Sequence, residues 1–87
     1  MVIKLKWYPG TSLNKKYKVE IYSDKVKVKT VQFGDKRYEQ YKDSTPLKLY
    51  KHLNHGDKDR RRLYKIRHEK DRHVKYTAGW FSDKYLW

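Results

Sequence analysis

The chain has 87 residues, with 23 Lys and Arg against 10 Asp and Glu, a formal charge of +13, and no cysteine. That length allows one domain with a small core, and the lack of cysteine excludes disulfides, Cys-ligated zinc and a thiol nucleophile. Hydrophobic residues make up 37% and charged residues 38%, a balance close to that of a disordered tail, yet 16% of the chain is aromatic, which argues for a folded unit. No apolar run approaches the ~18–20 residues of a membrane span. Met1 to Lys6 alternates apolar residues with lysine, which is not the pattern of a signal peptide.

The first third predicts strands. Ile3, Leu5 and Trp7 alternate with Lys4 and Lys6, and Pro9-Gly10 ends the run. Tyr17, Val19 and Ile21 alternate with Lys16, Lys18 and Glu20 in a second strand, and Ser23-Asp24 turns the chain. A third strand starts at Lys25. Its apolar parity switches between Lys29 and Thr30, which predicts a bulge or break there, and Gly34-Asp35 ends it. The simplest arrangement is an antiparallel meander over 1–34. Lys4, Lys6, Lys16, Lys18, Lys25, Lys27 and Lys29 all occupy polar strand positions. Such a face either meets phosphates or is a solvated surface whose lysines guard the edges.

Helices follow over 44–72. Ser44 or Thr45 is placed to cap a helix with Pro46 in its first turn, Leu47, Tyr50 and Leu53 on one side and His55-Gly56 at its end. Asp57 caps a second helix from about Lys58 to Arg72. Lys58, Arg61, Arg62, Lys65 and Arg72 line one face of it, while Leu63 and Ile66, widened by Tyr64, form a narrow buried stripe. With Arg60 and Arg67, these cations are the candidate basic contact for phosphates or a carboxylate-rich protein. Over 76–87, Thr77 caps a last helical turn or two. Trp80, Phe81 and Trp87 either plug the core, anchor a partner or stack on bases, and Tyr85 joins them as a candidate partner contact. Tyr17, Val19, Ile21, Val26, Val28, Leu47, Tyr50, Leu53, Leu63 and Ile66 are expected to supply most of the core of an α+β fold. The alternative is a chain ordered only against its neighbours.

No catalytic constellation emerges. His52 and His55 lie three apart, and His68 and His73 follow, but no acidic or Cys ligand completes a metal set. There is no glycine-rich phosphate loop and no nucleophile elbow. Neither an enzymatic activity nor a cofactor is expected.

The run from Phe33 to Asp43, followed by Thr45-Pro46-Leu47-Lys48-Leu49-Tyr50, His52-Leu53, His55, Asp57, Arg60-Arg61, Tyr64, Arg67-His68, Trp80-Phe81-Ser82 and Tyr85-Leu86-Trp87, resembles a group of small basic proteins of large nucleocytoplasmic DNA viruses, including algal ones. The resemblance spans about Lys29 to Trp87. It implies no catalytic residues. It implies a protein packaged in the virion, in the shell or with the genome, and present in host cytoplasm or nucleus during assembly. Two functions are therefore expected. The first is a minor capsid or cement protein. Its Trp80, Phe81, Tyr85 and Trp87 would fill pockets on major capsid or minor shell proteins, and its cations would meet acidic loops or anionic head groups. The alternative is a sequence-indifferent, genome-condensing protein that binds DNA, because no sequence-reading motif is present.

Overall fold

The computed structural model describes residues 2–87. Three antiparallel strands, β1 (Ile3–Pro9), β2 (Lys15–Ser23) and β3 (Val26–Asp35), form a meander in the order β1-β2-β3. Two helices, α1 (Lys58–Arg67) and α2 (Ala78–Tyr85), follow an irregular arm over 36–57. The fold is α+β, as the alternation in the first third predicts.

Register sorts the side chains onto two faces, because cross-strand partners project to the same side. Leu5 lies opposite Ile21, Trp7 opposite Val19, and Tyr17 opposite Phe33. This face is covered. Lys4 lies opposite Tyr22, Lys6 opposite Glu20, and Lys18 opposite both Tyr8 and Gln32. This face is open. The β2–β3 turn is a two-residue hairpin in which Asp24 and Lys25 have φ of 48° and 75°. Two left-handed central residues match the twist of the flanking strands. The bulge sits at Val28, where pairing jumps from Tyr22–Lys27 to Ile21–Lys29, slightly before the expected position. At the β1–β2 corner, a side chain on Gly10 would meet the Lys15 carbonyl oxygen at 2.1 Å, so only glycine fits.

Rings do most of the covering. Tyr17, Val19, Ile21, Val31 and Phe33 of the sheet bury against Phe81 and Leu86, with Trp7, Tyr50, Tyr76, Trp80, Tyr85 and Trp87 packed around them. Phe33 and Phe81 stack at 5.6 Å, and the Trp7 ring meets Tyr85 edge-on at 4.7 Å. Such offset and edge contacts each add ~0.5–1.5 kcal/mol beyond area burial.

The expected core needs correction. Val26 and Val28 are 63% and 60% exposed, because the β2–β3 hairpin tip projects past the covering layer. Leu47, Leu63 and Ile66 are also exposed, and Leu53 is half-buried. The helix expected from Pro46 does not form. Only a 3-10 turn, Lys51–Leu53, appears there. The Thr45 hydroxyl, instead of capping a helix through the backbone ahead of it alone, donates to Asp43 at 2.6 Å while accepting from Lys48 N–H. The second helix stops at Arg67 rather than Arg72. Turns over 68–76 then carry the chain to α2.

A buried carboxylate organises this arm. Asp43 accepts from Thr45 N–H at 3.0 Å, from the Thr45 hydroxyl, from Tyr50 N–H at 3.0 Å, and from the Tyr17 hydroxyl of β2. The Tyr17 oxygen in turn accepts from Leu49 N–H. Lys16, also buried, donates to the Tyr38 carbonyl at 2.8 Å and to Gln40 Oε1 at 2.5 Å. Burial lowers its pKa to about 8. Gln40 passes the connection on to the Tyr50 carbonyl and Asn54 Oδ1. Backbone groups in a segment whose regular structure is one 3-10 turn and a Gln40–Asn54 bridge need such partners.

Burial alone would raise the pKa of Asp43. Hydrogen bonds from Thr45, Tyr17 and Tyr50 outweigh it and hold the carboxyl below its ordinary 3.8. Its contribution to stability is therefore present above pH 3.8 and is lost as pH falls through the lower folded value. Asp43→Asn keeps the shape but removes acceptors from buried donors, and is expected to cost about 2–3 kcal/mol. Urea unfolding at neutral and acid pH checks this. The variant should also show a shallower acid loss of stability than the parent.

Candidate nucleic-acid interface

The open face of the sheet is built from β1 and β2 residues of even number. Lys4, Lys6 and Tyr8 alternate with the covered Ile3, Leu5 and Trp7, and Lys18, Glu20 and Tyr22 alternate with Tyr17, Val19 and Ile21. β3 adds Lys27, opposite Tyr22, and Thr30 and Gln32 beyond the bulge. Gln32 closes one end of the face. Its Oε1 accepts from the N–H groups of Thr11 and Ser12, and its Nε2 donates to both hydroxyls. Four lysines, Lys4, Lys6, Lys18 and Lys27, thus share one surface with a single carboxylate, Glu20. The other lysines expected there lie elsewhere. Lys16 is 2% exposed and bound within the fold, Lys25 is in the hairpin turn, and Lys29 pairs opposite Ile21.

Glu20 accepts from the Tyr22 hydroxyl at 3.0 Å and lies 3.7 Å from Lys27 Nζ. The Tyr22 hydrogen bond, and Lys27 and Lys18 nearby, lower its pKa, so it stays ionised. Desolvation first, then Glu20, raises the pKa of Tyr8, and the hydrogen bond to Glu20 raises that of Tyr22. Lys6 Nζ lies 4.7 Å from the Tyr22 ring centroid, and Lys18 Nζ lies 5.1 Å from that of Tyr8. Sequence alone does not mark Tyr8, Glu20 and Tyr22 as contact residues. Their parity, shared with the lysines, is a signal only once register sets them side by side.

The expected basic stripe on the second helix is arranged differently. Asp57 caps α1 as the sequence predicts, accepting from Asp59 and Arg60 N–H. The helix is rolled, however, so that Arg61, Tyr64, Lys65 and His68 face the body. Tyr64 stacks on Trp87 at 4.3 Å with planes 4° apart, and its hydroxyl donates to Ser82. Arg61 donates to the Trp87 carbonyl at 2.7 Å, and Lys65 donates to the buried Asp83 at 2.5 Å. Arg60 pairs with Glu39, and Arg72 pairs with Glu69 and, at 3.8 Å, with Asp83. Of the seven expected cations, only Lys58, Arg62 and Arg67 have no hydrogen bond or ion pair among the described residues. Leu63 and Ile66, expected inside, face outward between Arg62 and Arg67, 48% and 61% exposed. A flat ring stack and two charge pairs seat this helix in place of two aliphatic side chains.

The aromatic tail folds inward. Thr77 caps α2, accepting from Trp80 N–H. Phe81 is fully buried and therefore forms no part of any outer surface. Trp80, Tyr85 and Trp87 are half-buried and pack against the core cluster. Lys42 and Ser44 N–H groups bind the Leu86 and Tyr85 carbonyls, tying the tail to the arm.

A cleft of about 710 Å³ lies between α1 and the 34–39 segment, lined by Tyr38, Arg60, Leu63, Arg67 and Trp87 among others. Ser82 and His68 both line it, but no hydrogen bond joins them among the described residues: Ser82 accepts from the Tyr64 hydroxyl and His68 faces Asp71. His68 lies 3.3 Å from Asp71, His73 lies 3.0 Å from Glu69, and His55 accepts from Asp57 N–H. No group of three or more His, Asp or Glu among the described residues is placed to hold a metal ion. Comparisons with protein-family models, with curated proteins and with solved structures return no match.

The rolled helix has a measurable consequence. Leu63→Ala and Ile66→Ala should each change stability by no more than about 0.5 kcal/mol, while Tyr64→Ala should cost about 3 kcal/mol. Chemical denaturation of the three variants checks the orientation. A large loss at Leu63 or Ile66 would reverse it.

Proposed function

We propose that this protein is a non-enzymatic, sequence-indifferent nucleic-acid-binding protein whose contact surface is the open face of the sheet. The observation that carries this reading is the clustering of Lys4, Lys6, Lys18 and Lys27 around a single carboxylate. Lysine supplies phosphate contact without base readout. Arg60, Arg61, Lys65 and Arg72 of the basic stretch are held by internal partners, which leaves Lys58, Arg62 and Arg67 of that stretch open to a ligand.

Four phosphate contacts give a log–log salt slope of about −3 on single strands and about −4 on duplex. Replacing Lys6 and Lys18 by Gln should reduce the single-strand slope by about 1.4, whereas the pair Arg62→Gln and Arg67→Gln should leave it unchanged. Titrations of labelled oligonucleotides over a salt series check this. No binding at ~150 mM salt, or a slope insensitive to the sheet lysines, would overturn the reading.

A second reading, a shell or cement protein, is supported by one surface. Leu63 and Ile66 face outward between two unpaired arginines, which suits an acidic protein with aliphatic side chains. The rings expected to serve as its anchors are instead packed against the core. Retention in particle shells after genome release favours this second reading, and loss together with the genome favours nucleic-acid binding.

A further inference from the structure

The open face carries more than positive charge. Tyr8 and Tyr22 stand on it at opposite ends of the β1–β2 pair, Tyr8 opposite Lys18 and Tyr22 opposite Lys4. The four-residue offset along β2 roots the two rings about 13 Å apart along the strand direction. Each ring has a lysine ammonium over its face, at 5.1 Å for Tyr8 and 4.7 Å for Tyr22. Glu20 lies between them, opposite Lys6, and is held ionised by its neighbours.

A surface built only for the phosphates of a duplex needs neither rings nor a central carboxylate. The carboxylate repels a phosphate backbone laid across it. A duplex also hides the faces of its bases in the stack and engages their N–H groups in pairing. A single strand exposes both. Its bases stack on aromatic rings, and their unpaired N–H donors suit an acceptor-only carboxylate.

We propose that the ligand is single-stranded nucleic acid, with bases stacked on Tyr8 and Tyr22, a base N–H donated to Glu20, and phosphates held by the surrounding lysines. The proposal rests on the reading of this face as a nucleic-acid site. On binding, Lys6 and Lys18 exchange a ring face for a phosphate oxygen, which frees the rings to stack.

The test is fluorescence anisotropy with a labelled mixed-sequence single strand of about 12 nucleotides and the matching duplex, at ~150 mM salt. The unaltered chain should bind the single strand at least about tenfold more tightly than the duplex. Tyr8→Leu with Tyr22→Leu should weaken single-strand binding by about tenfold per ring while leaving duplex binding unchanged. Glu20→Gln should narrow the preference by strengthening duplex binding. Equal affinity of the unaltered chain for both forms, or equal loss on both in the tyrosine variant, overturns the single-strand assignment while leaving the nucleic-acid reading intact. Binding to neither overturns that reading itself. The first comparison uses the parent chain, so it decides the matter even where a variant fails to fold.

Discussion

The buried carboxylate of Asp43 holds together a segment with almost no regular backbone structure of its own. Residues 36–57 contain a single 3-10 turn, yet they supply Tyr50 to the core and receive the C-terminal tail through Lys42 and Ser44. The Asp43 contacts reach the sheet through the Tyr17 hydroxyl, and Lys16 reaches the same arm through Gln40. These two neighbouring β2 residues thus fasten the covering layer to the sheet from the inside. Removing that fastening would free the arm and, with it, the anchorage of the tail. A chain of 87 residues has few other means of covering a sheet.

Covering one face with rings decides what the other face does. The aliphatic residues are too few to form two layers, so Trp7, Phe33, Phe81, Tyr85 and their neighbours gather on one side. The opposite side keeps its lysines in solvent, with Tyr8 and Tyr22 among them. The helices spend their charge differently. Lys65 and Arg72 converge on Asp83, Arg60 on Glu39, and Arg61 on the Trp87 carbonyl. Arginine is well suited to such fixed, partly desolvated pairs. Four cations of the densest basic stretch are therefore structural, while Lys58, Arg62 and Arg67 and the strand lysines Lys4, Lys6 and Lys18 stand outside any ion pair among the described residues.

The legible and illegible parts of the fold separate along one physical line. Period-two alternation in β1 and β2 is a local signal, and it placed both strands, their inner faces and the lysine face correctly, apart from Lys16. The Asp57 and Thr77 caps are local as well, and both are found as expected. What the sequence does not display is competition between distant groups. Thr45 and Pro46 carry a helix-start pattern, but Asp43 engages Thr45 and Tyr50 in an arm instead. Leu63 and Ile66 look like a buried stripe until Trp87 and Asp83, some twenty residues away, claim the other side of α1. Val26 and Val28 have the right character for a core but lie beyond the reach of the covering layer. The candidate site lay within the legible part. Tyr8, Glu20 and Tyr22 share parity with the lysines, but they draw attention only once register sets them side by side.

The central claim is that the outward-acting surface is the open face of the sheet and not the basic helix. Amide and aromatic NMR shifts recorded during titration with a short single-stranded oligonucleotide test it most directly. Changes concentrated at Lys4, Lys6, Tyr8, Lys18, Glu20, Tyr22, Lys27 and Thr30, with α1 unmoved, are the expected result. Changes centred on Arg62, Leu63, Ile66 and Arg67, with the sheet silent, would contradict it.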